Sequence, residues 1–479
     1  VVDNYVIECP FRGAYSKWGA VEVSFEKYYS SKGLPLKPYF GVKGISRPFC
    51  YANRPENWFY ATAAHCTQPA FSLTDVVEVF AEPFMYKVRT SEIQIPEFEE
   101  WVAKFPTNRA DMLRKAYYSQ IPDPYHSSFV KKDKQILDSF KVPRVVNASS
   151  DECIATLGPW YSGYSAQMKS HFVKMSAPVL WATGTNGEKI GEWFNYWMNK
   201  LLPEWFVCTD MSKFDRSVNY VILAWEWNQY FQAMKNKEKF EYRRYFYDQL
   251  FVRMKGINGF GSAIRLGGRS TGALNTSVGN TKVHTHLLTQ FCKRMGYRLG
   301  IDIVFCLLGD DMLALSKVKF DIEAYKLFVG KLGWVCKSGK ITKNLAEVDF
   351  CQKLFYPTKR GYMPGPKIGR YLSKTGWSFK EVDVSSIFYS EDINHVPILN
   401  TLPGVCKNRV HRDWEIHNAE KHEMTSETEE FFFSRYGFHA RGRSYLELTD
   451  HELSVLNKID NDHADDNNKM INFAEFPDV

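Results

Sequence analysis

Two adjacent aspartates, Asp310 and Asp311, follow Gly309 between two strongly apolar runs, so that residues 303–315 read as strand, tight turn and strand. Such a hairpin pushes both carboxylates to its tip, at one edge of a sheet. Neighbouring like charges repel unless a cation neutralises them, and an all-oxygen site of this kind suits Mg²⁺ or Mn²⁺. Taken alone, Gly-Asp-Asp is also ordinary turn chemistry. A metal site needs a second source of carboxylate.

That source is Thr209-Asp210-Met211-Ser212-Lys213-Phe214-Asp215. Residues 205–211 form a short, mostly apolar strand candidate with Asp210 at its end, and Asp215 follows after the chain has turned. A two-metal site requires carboxylates from separate strands, bridging ions ~3.5–4 Å apart. Asp210 with Asp310 meets this requirement if the two strands are neighbours. In isolation, Asp210 reads equally well as a helix N-cap ahead of Phe214.

Between the two acidic segments lies Gly267-Gly268-Arg269-Ser270-Thr271-Gly272-Ala273-Leu274-Asn275-Thr276-Ser277-Val278-Gly279-Asn280. Glycines let the backbone approach a nucleic-acid strand, and the hydroxyl and amide side chains that open the following helix can read a ribose 2′-hydroxyl. A flexible turn before a capped helix is the bland alternative. Upstream, Lys131, Lys132, Lys134, Lys141 and Arg144 place five cations within fourteen residues. They suit a triphosphate and the charge on a leaving pyrophosphate, although a solvated basic loop has the same composition.

The order of these elements, followed by Phe350-Cys351-Gln352, resembles motifs F, A, B, C and E of viral RNA-dependent RNA polymerases, nearest the tombusvirus-, nodavirus- and flavivirus-like group. The ordered set is specific although each piece is not, and it spans residues 129–356. The 56 positions from Asp215 to Thr271 leave room for an insertion, and the 39 from Thr271 to Asp310 fit one helix and one strand.

By that resemblance, Asp210 and Asp310 correspond to metal ligands, with Asp311 an auxiliary carboxylate. Asp215 and Asn280 correspond to the pair that checks the ribose, and Thr276 to the threonine that supports them. Lys141 and Arg144 resemble the phosphate-binding pair of motif F, and Lys131 an earlier basic member. Phe350, Cys351 and Gln352 resemble the hairpin that cradles the primer end. Lys337 resembles the motif D acid for pyrophosphate, with Lys331 its competitor. The family usually has Ser-Gly where this chain has Thr271-Gly272, preceded by Ser270. Either hydroxyl is therefore a candidate for the nucleotide.

The implied fold is an α/β (α+β) right hand. Residues 1–204 would form an N-terminal region and fingers, with motif F at 129–146, and 225–262 a fingers insertion. The palm, an antiparallel sheet plus helices, would hold 205–224 and 263–356. A thumb and acidic tail would occupy 357–479. The implied activity is RNA-directed RNA synthesis from NTPs with two Mg²⁺ or Mn²⁺ ions. Template, nascent RNA and other viral replication proteins are the implied partners, in a membrane-associated complex of the host cytoplasm, with membrane contact indirect or through segments absent here.

Charge agrees with a polyanion partner. Residues 450–479 carry eight acids and two lysines, so this tail is −6 and residues 1–449 are +13. The ten cysteines include no C-x-x-C pair, which suggests a reducing compartment rather than a zinc ribbon or redox motif. No run of 18 apolar residues and no signal peptide is evident, and a first residue of Val rather than Met fits a trimmed chain or a piece of a polyprotein.

Apolar spacing predicts helices near residues 96–118, 160–175, 186–202 and 320–332, a long aromatic-rich helical stretch over 220–254, and a helix ending near 295. Residues 128–144 read as a loop or hairpin, 348–356 as a hairpin, and the chain after 357 as mainly helical. Two motifs are decoys. Ala61-Thr62-Ala63-Ala64-His65-Cys66 matches a serine-protease histidine motif, but no G-x-S-G follows. Residues 460–475 echo a calcium loop without its glycine. A reverse transcriptase, or an RNA-binding scaffold without catalysis, remains the alternative function.

Overall fold

The computed structural model describes residues 58–66, 68–131, 134–136, 143–257, 261–358 and 361–366, with short strands at Tyr5–Cys9, Gly13–Lys17, Leu34–Pro35, Lys37–Pro38, Phe49–Tyr51 and Trp377–Ser378. These residues form a mixed α/β structure built on two main sheets. Among them no helix is long and apolar enough to cross a membrane.

The central sheet has five strands in the order Val335–Thr342, Trp205–Ser212, Asp311–Ser316, Ile303–Leu308 and Val179–Trp181. All neighbours are antiparallel except Val179–Trp181, which runs parallel to Ile303–Leu308. Side chains alternate between sheet faces with period two, and here both faces are covered. Phe305, Leu307, Met312 and Ala314 pack on one side against Val283, Leu287 and Phe291 of the Thr276–Met295 helix and Tyr325 and Val329 of the Ile322–Lys331 helix. Val304, Cys306, Leu313 and Leu315 pack on the other against Ile190, Trp193, Phe194 and Trp197 of the Gly187–Leu201 helix. Double coverage explains why these strands read as continuous apolar runs. Each such side chain contributes roughly 1.5–3 kcal/mol of burial, so the sheet is a rigid base for whatever its edge presents.

The second sheet has six strands, ordered Gly13–Lys17, Tyr5–Cys9, Ser262–Leu266, Phe251–Gly256, Tyr125–Val130 and Val145–Ala148. It ties the start of the chain and the basic segment to residues 251–266. Two helices were expected as one, and one strand was hidden. Residues 220–254 divide into the Tyr220–Ala233 and Asn236–Leu250 helices and the Phe251–Gly256 strand. In that strand Val252, Met254 and Gly256 are buried while Arg253 and Lys255 face out, a period-two pattern too short to stand out beside the aromatic helices.

The helix expected over 96–118 is also two, Phe98–Val102 and Thr107–Ser119, broken where Pro106 has no N–H to continue the first. The helix expected from 160 begins nine residues earlier, as Asp151–Phe172, with Ser150 Oγ accepting from Cys153 N and Pro159 inside it. The interior proline masked that start. The strands that flank the basic stretch, Tyr125–Val130 and Val145–Ala148, pair antiparallel, while residues 132–133 and 137–142 lie outside the described residues. Apart from the Gly361–Pro366 and Trp377–Ser378 strands, the mainly helical region expected after 357 and the acidic tail lie outside the described residues.

Candidate active site

The Ile303–Leu308 and Asp311–Ser316 strands close on the pair Leu308 and Asp311, leaving Gly309 and Asp310 as the turn. Gly309 is left-handed at φ 62°, and a Cβ built there would meet nothing within 4 Å. Backbone conformation, not space, therefore demands glycine. The Trp205–Ser212 strand pairs with the far arm of this hairpin, with Thr209 opposite Met312. Asp210, one residue further along and exposed, thus lies beside the tip that carries Asp310 and Asp311.

Their electrostatics follow from that convergence. Burial, then Asp311, and further out Asp215 and Asp210, raise the Asp310 carboxyl to about 7. Burial and the charges of Asp210 and Asp349 raise Asp311 to about 6, opposed by a hydrogen bond with Cys351. Five carboxylates from three chain segments therefore share one electrostatic neighbourhood. Among the described residues, no three His, Cys, Asp or Glu side chains close into a ready-made cation cage. Asp349, at the start of the Asp349–Phe350 strand, was not anticipated from sequence, where an acid before Phe-Cys-Gln carries no distinguishing pattern.

Asp215 lies deeper. Asn280 Nδ2 donates to Asp215 Oδ1 at 2.5 Å, and Arg269 N donates to the Asp215 carbonyl at 2.7 Å. Burial raises the Asp215 pKa, while hydrogen bonds from Asn280 and Thr271 and the charges of Arg269 and Arg265 hold it down. Thr271 is exposed and joins Asp215, whereas Ser270 is buried with no partner for its hydroxyl among the described residues. Thr276 Oγ1 lies 2.7 Å from the Ser270 carbonyl and 2.9 Å from that of Ala273, so its single hydrogen braces the loop from within. Gly272 touches the basic hairpin: its N–H donates to the Asn147 carbonyl at 3.1 Å, and a Cβ there would lie 2.8 Å from the Ala148 Cα.

Behind the loop, Arg269 and Glu226 form an ion pair with side chains 1% and 0% exposed. Glu226 also accepts from Tyr230 Oη and from Asn275 Nδ2. Removing one member of so buried a pair costs about 3–5 kcal/mol, so the glycine-rich loop is anchored rather than loose.

Lys213 and Lys337 lie at the acidic edge. Lys131 N donates to the Arg144 carbonyl at 2.8 Å, which sets these two residues side by side at the end of the basic hairpin. Lys141 lies outside the described residues. Lys213 sits between Asp210 and Asp215 in the left-handed region at φ 50°, a conformation that costs a non-glycine residue of order 1–3 kcal/mol. Burial, Arg216 and Lys337 lower its pKa to about 8. Lys337 is exposed and is the extra residue of a bulge, since Cys336 pairs with Met211 and Ser338 with Asp210. That bulge brings Lys337 to the acidic edge. Lys331 ends the Ile322–Lys331 helix, where its carbonyl accepts from Ser72 N. Lys213 and Arg216 were not anticipated from sequence, although two cations beside Asp210 and Asp215 are a legible signal.

Phe350 is buried in the core beneath the sheet, and Cys351 and Gln352 make the next turn with φ of 53° and 63°. Two left-handed residues between the paired Phe350 and Lys353 form a tight hairpin loop. Its Cys351 is hydrogen-bonded to Asp311, so this loop abuts the acidic turn. Burial, Lys213, Arg265 and Arg216 lower the His65 pKa to about 4, opposed by a hydrogen bond to the Pro143 backbone. Cys66, Cys153, Cys292, Cys306 and Cys351 form no disulfide.

Residues 179–384 match the model of a family described as viral RNA dependent RNA polymerase. An RNA-directed RNA polymerase of Pothos latent virus (isolate Pigeonpea/India) is 27% identical over 245 residues, covering 50% of this chain and 32% of that protein. Putative RNA-directed RNA polymerases of barley yellow dwarf virus, isolates PAV and MAV, are each 23% identical over 263 residues, covering 52% of this chain and 29% of theirs. The chain matches about a third of the length of these curated relatives.

Proposed function

We propose that this chain, whose residues 179–384 match the viral RNA-dependent RNA polymerase family, is an RNA-directed RNA polymerase that copies a viral RNA by two-metal nucleotidyl transfer. The observation that carries this reading is the meeting of Asp210 with the Asp310-Asp311 turn next to the hydrogen-bonded Asp215, Asn280 and Thr271. Burial and the neighbouring carboxylates raise the pKa of Asp310 and Asp311, and an all-carboxylate set fits Mg²⁺ or Mn²⁺. Asp210 and Asp310 would hold the ions, with Asp311 auxiliary. When bound, two such ions would stabilise the attacking and leaving oxygens of an in-line displacement.

The chain's own residues would do the rest. Asp215, Asn280 and Thr271 would receive the ribose, with Thr276 bracing the loop that carries Thr271. Lys213, Arg216 and Lys337, with Lys131, Lys141 and Arg144, would hold the triphosphate. The Phe350-Cys351-Gln352 hairpin, Ser270 and Gly272 would flank primer and template. In the reaction, the 3′-hydroxyl of the growing strand gives up its proton to solvent, its oxygen bonds to the α-phosphorus of the NTP, and the bond from that phosphorus to the α–β bridging oxygen breaks, releasing pyrophosphate for Lys337 to protonate.

In this proposal residues 205–224 and 263–356, which hold four of the five strands of the central sheet, are the palm, residues 1–204 and 225–262 the fingers, and 357–479 a thumb with an acidic tail. The kinship to the tombusvirus-, nodavirus- and flavivirus-like group, work beside other viral replication proteins, and a membrane-associated complex in the host cytoplasm belong to the same proposal. The test is nucleotide incorporation on a homopolymer template, with and without an annealed primer, using NTPs and dNTPs. Asp310→Asn should abolish incorporation and keep RNA binding. Absence of synthesis by the native chain with either Mg²⁺ or Mn²⁺ would leave an RNA-binding scaffold, and a preference for dNTPs would indicate a reverse transcriptase.

A further inference from the structure

The Thr276–Met295 helix grips the acidic turn through two side chains three residues apart. Gly309 N–H donates to Thr281 Oγ1 at 2.9 Å, and the Gly309 carbonyl lies 2.9 Å from His284 Nδ1. Both polar groups of the residue preceding Asp310 are thus held by one helix. Thr281 and His284 are fully buried, so no water competes for these bonds.

The proton directions are settled by the partners. A carbonyl can only accept, so His284 Nδ1 carries the hydrogen. Burial lowers the His284 pKa to about 4, which keeps the ring neutral and makes Nε2 an acceptor. The buried Tyr325 hydroxyl, 3.2 Å from Nε2, must then donate to it. Thr281 Oγ1 donates to the Ser277 carbonyl at 2.9 Å and lies 3.1 Å from Thr183 Oγ1, so its lone pairs are left for the Gly309 N–H and the Thr183 hydroxyl. Tyr325 belongs to the Ile322–Lys331 helix, which leads into the strand carrying Lys337. The His284 ring also packs on Phe214, next to Asp215, with centroids 5.7 Å apart. Three of the segments that build the site therefore meet on this one imidazole.

We propose that Thr281 and His284 are positioning residues that clamp the Gly309 backbone and so fix Asp310 for cation binding, with Tyr325 selecting the His284 tautomer. This inference rests on the polymerase reading for its kinetic readout but not for its binding readout. Asn and Gln at position 284 separate the two ring nitrogens. An Asn amide places its N–H near the Nδ1 position and can still donate to Gly309, whereas Gln reaches toward Tyr325 and leaves the Gly309 carbonyl without a donor.

The experiment compares His284→Asn, His284→Gln, Thr281→Ser and Thr281→Val in the full chain. It measures Mn²⁺ binding by electron paramagnetic resonance, RNA binding, and kcat and KM for NTP. Loss of a residue that orients metal ligands typically costs about 10–100-fold in metal affinity or activity. His284→Gln and Thr281→Val should show losses of that order in Mn²⁺ affinity and kcat, with RNA binding and KM little changed. His284→Asn and Thr281→Ser should stay within about threefold of the parent. Equal behaviour of Asn and Gln at 284, together with an unaffected Thr281→Val, would overturn the clamp. If the His284 variants do not fold, the Thr281 pair decides alone. If the native chain synthesises nothing, the polymerase reading fails, and the clamp stands or falls on Mn²⁺ binding.

Discussion

Asn280 Nδ2 donates to Asp215 Oδ1 at 2.5 Å, joining a helix that packs on the sheet to the turn that follows Asp210. The carboxylate accepts here and from Thr271, and its charge is felt at Asp310. A ribose 2′-hydroxyl placed beside it would find an acceptor in Asp215, and a deoxyribose would leave it unmet. Asn280→Leu removes the donor that holds Asp215 in place. We expect the preference for NTP over dNTP to fall by about tenfold or more, chiefly through a higher KM for NTP, because lost hydrogen-bond matching is worth about 1–3 kcal/mol. Steady-state incorporation of ATP against dATP measures it.

Thr271 and Ser270 should separate cleanly. Thr271 is exposed and bonded to Asp215, while Ser270 is buried and its hydroxyl bonds no described residue. Thr271→Val is isosteric and loses only the hydroxyl, so KM for NTP should rise while the melting temperature holds. Ser270→Ala should leave KM unchanged and shift stability by no more than about 1 kcal/mol. The reverse pattern would show that the loop presents the other hydroxyl.

Lys213 stands with Arg216 and Lys337 at the acidic edge, and burial, then repulsion from these two cations, lowers its pKa; a polyanion would relieve the repulsion. Lys213→Gln should raise KM for NTP by about 5- to 50-fold, as befits a lost charge-assisted contact of about 1.5–3 kcal/mol. Affinity for single-stranded RNA, measured by anisotropy, should change far less. A variant that weakens RNA binding as much as NTP use would move Lys213 from the nucleotide to the template path.

Lys282 is fully buried in a box of four rings, with Nζ 5.2–5.7 Å from the centroids of Phe84, Tyr164, Trp225 and Tyr230 and 2.8 Å from the Tyr164 hydroxyl. Burial, and to a lesser degree Arg269, lower its pKa from 10.5 to about 7, opposed by Glu226. Between those limits the unfolded chain binds more protons than the folded one, so this group's contribution to stability rises with pH from about 7 to 10.5 and is most unfavourable below 7. Lys282→Met should therefore stabilise the protein near pH 6.5, by about 2 kcal/mol after the cation–π attraction of the rings is lost. The gain should vanish by pH 10. Urea denaturation of both proteins at the two pH values tests this, and a gain independent of pH would refute it.

Much of the site was legible because its parts are local. The hairpin over 303–315 announces itself through two apolar runs and a turn whose central residue must be glycine. The Gly187–Leu201 and Ile322–Lys331 helices follow from apolar spacing and from caps at Asn186 and Asp321. Lys282 and His284 were not legible. On a helix they are simply polar residues, and only the packing of separate segments turns one into a caged ammonium and the other into a clamp.

The identity of the acidic turn, the second acidic segment and the loop between them follows from residue order alone, since turn chemistry and strand period act over a few neighbours. The tertiary structure alone placed the Trp205–Ser212 strand between Val335–Thr342 and Asp311–Ser316, partners more than a hundred residues downstream in sequence. That choice rests on long-range backbone hydrogen bonds and on burial of both sheet faces. No local pattern encodes either of these, yet they decide that Asp210 and Asp310 share one edge.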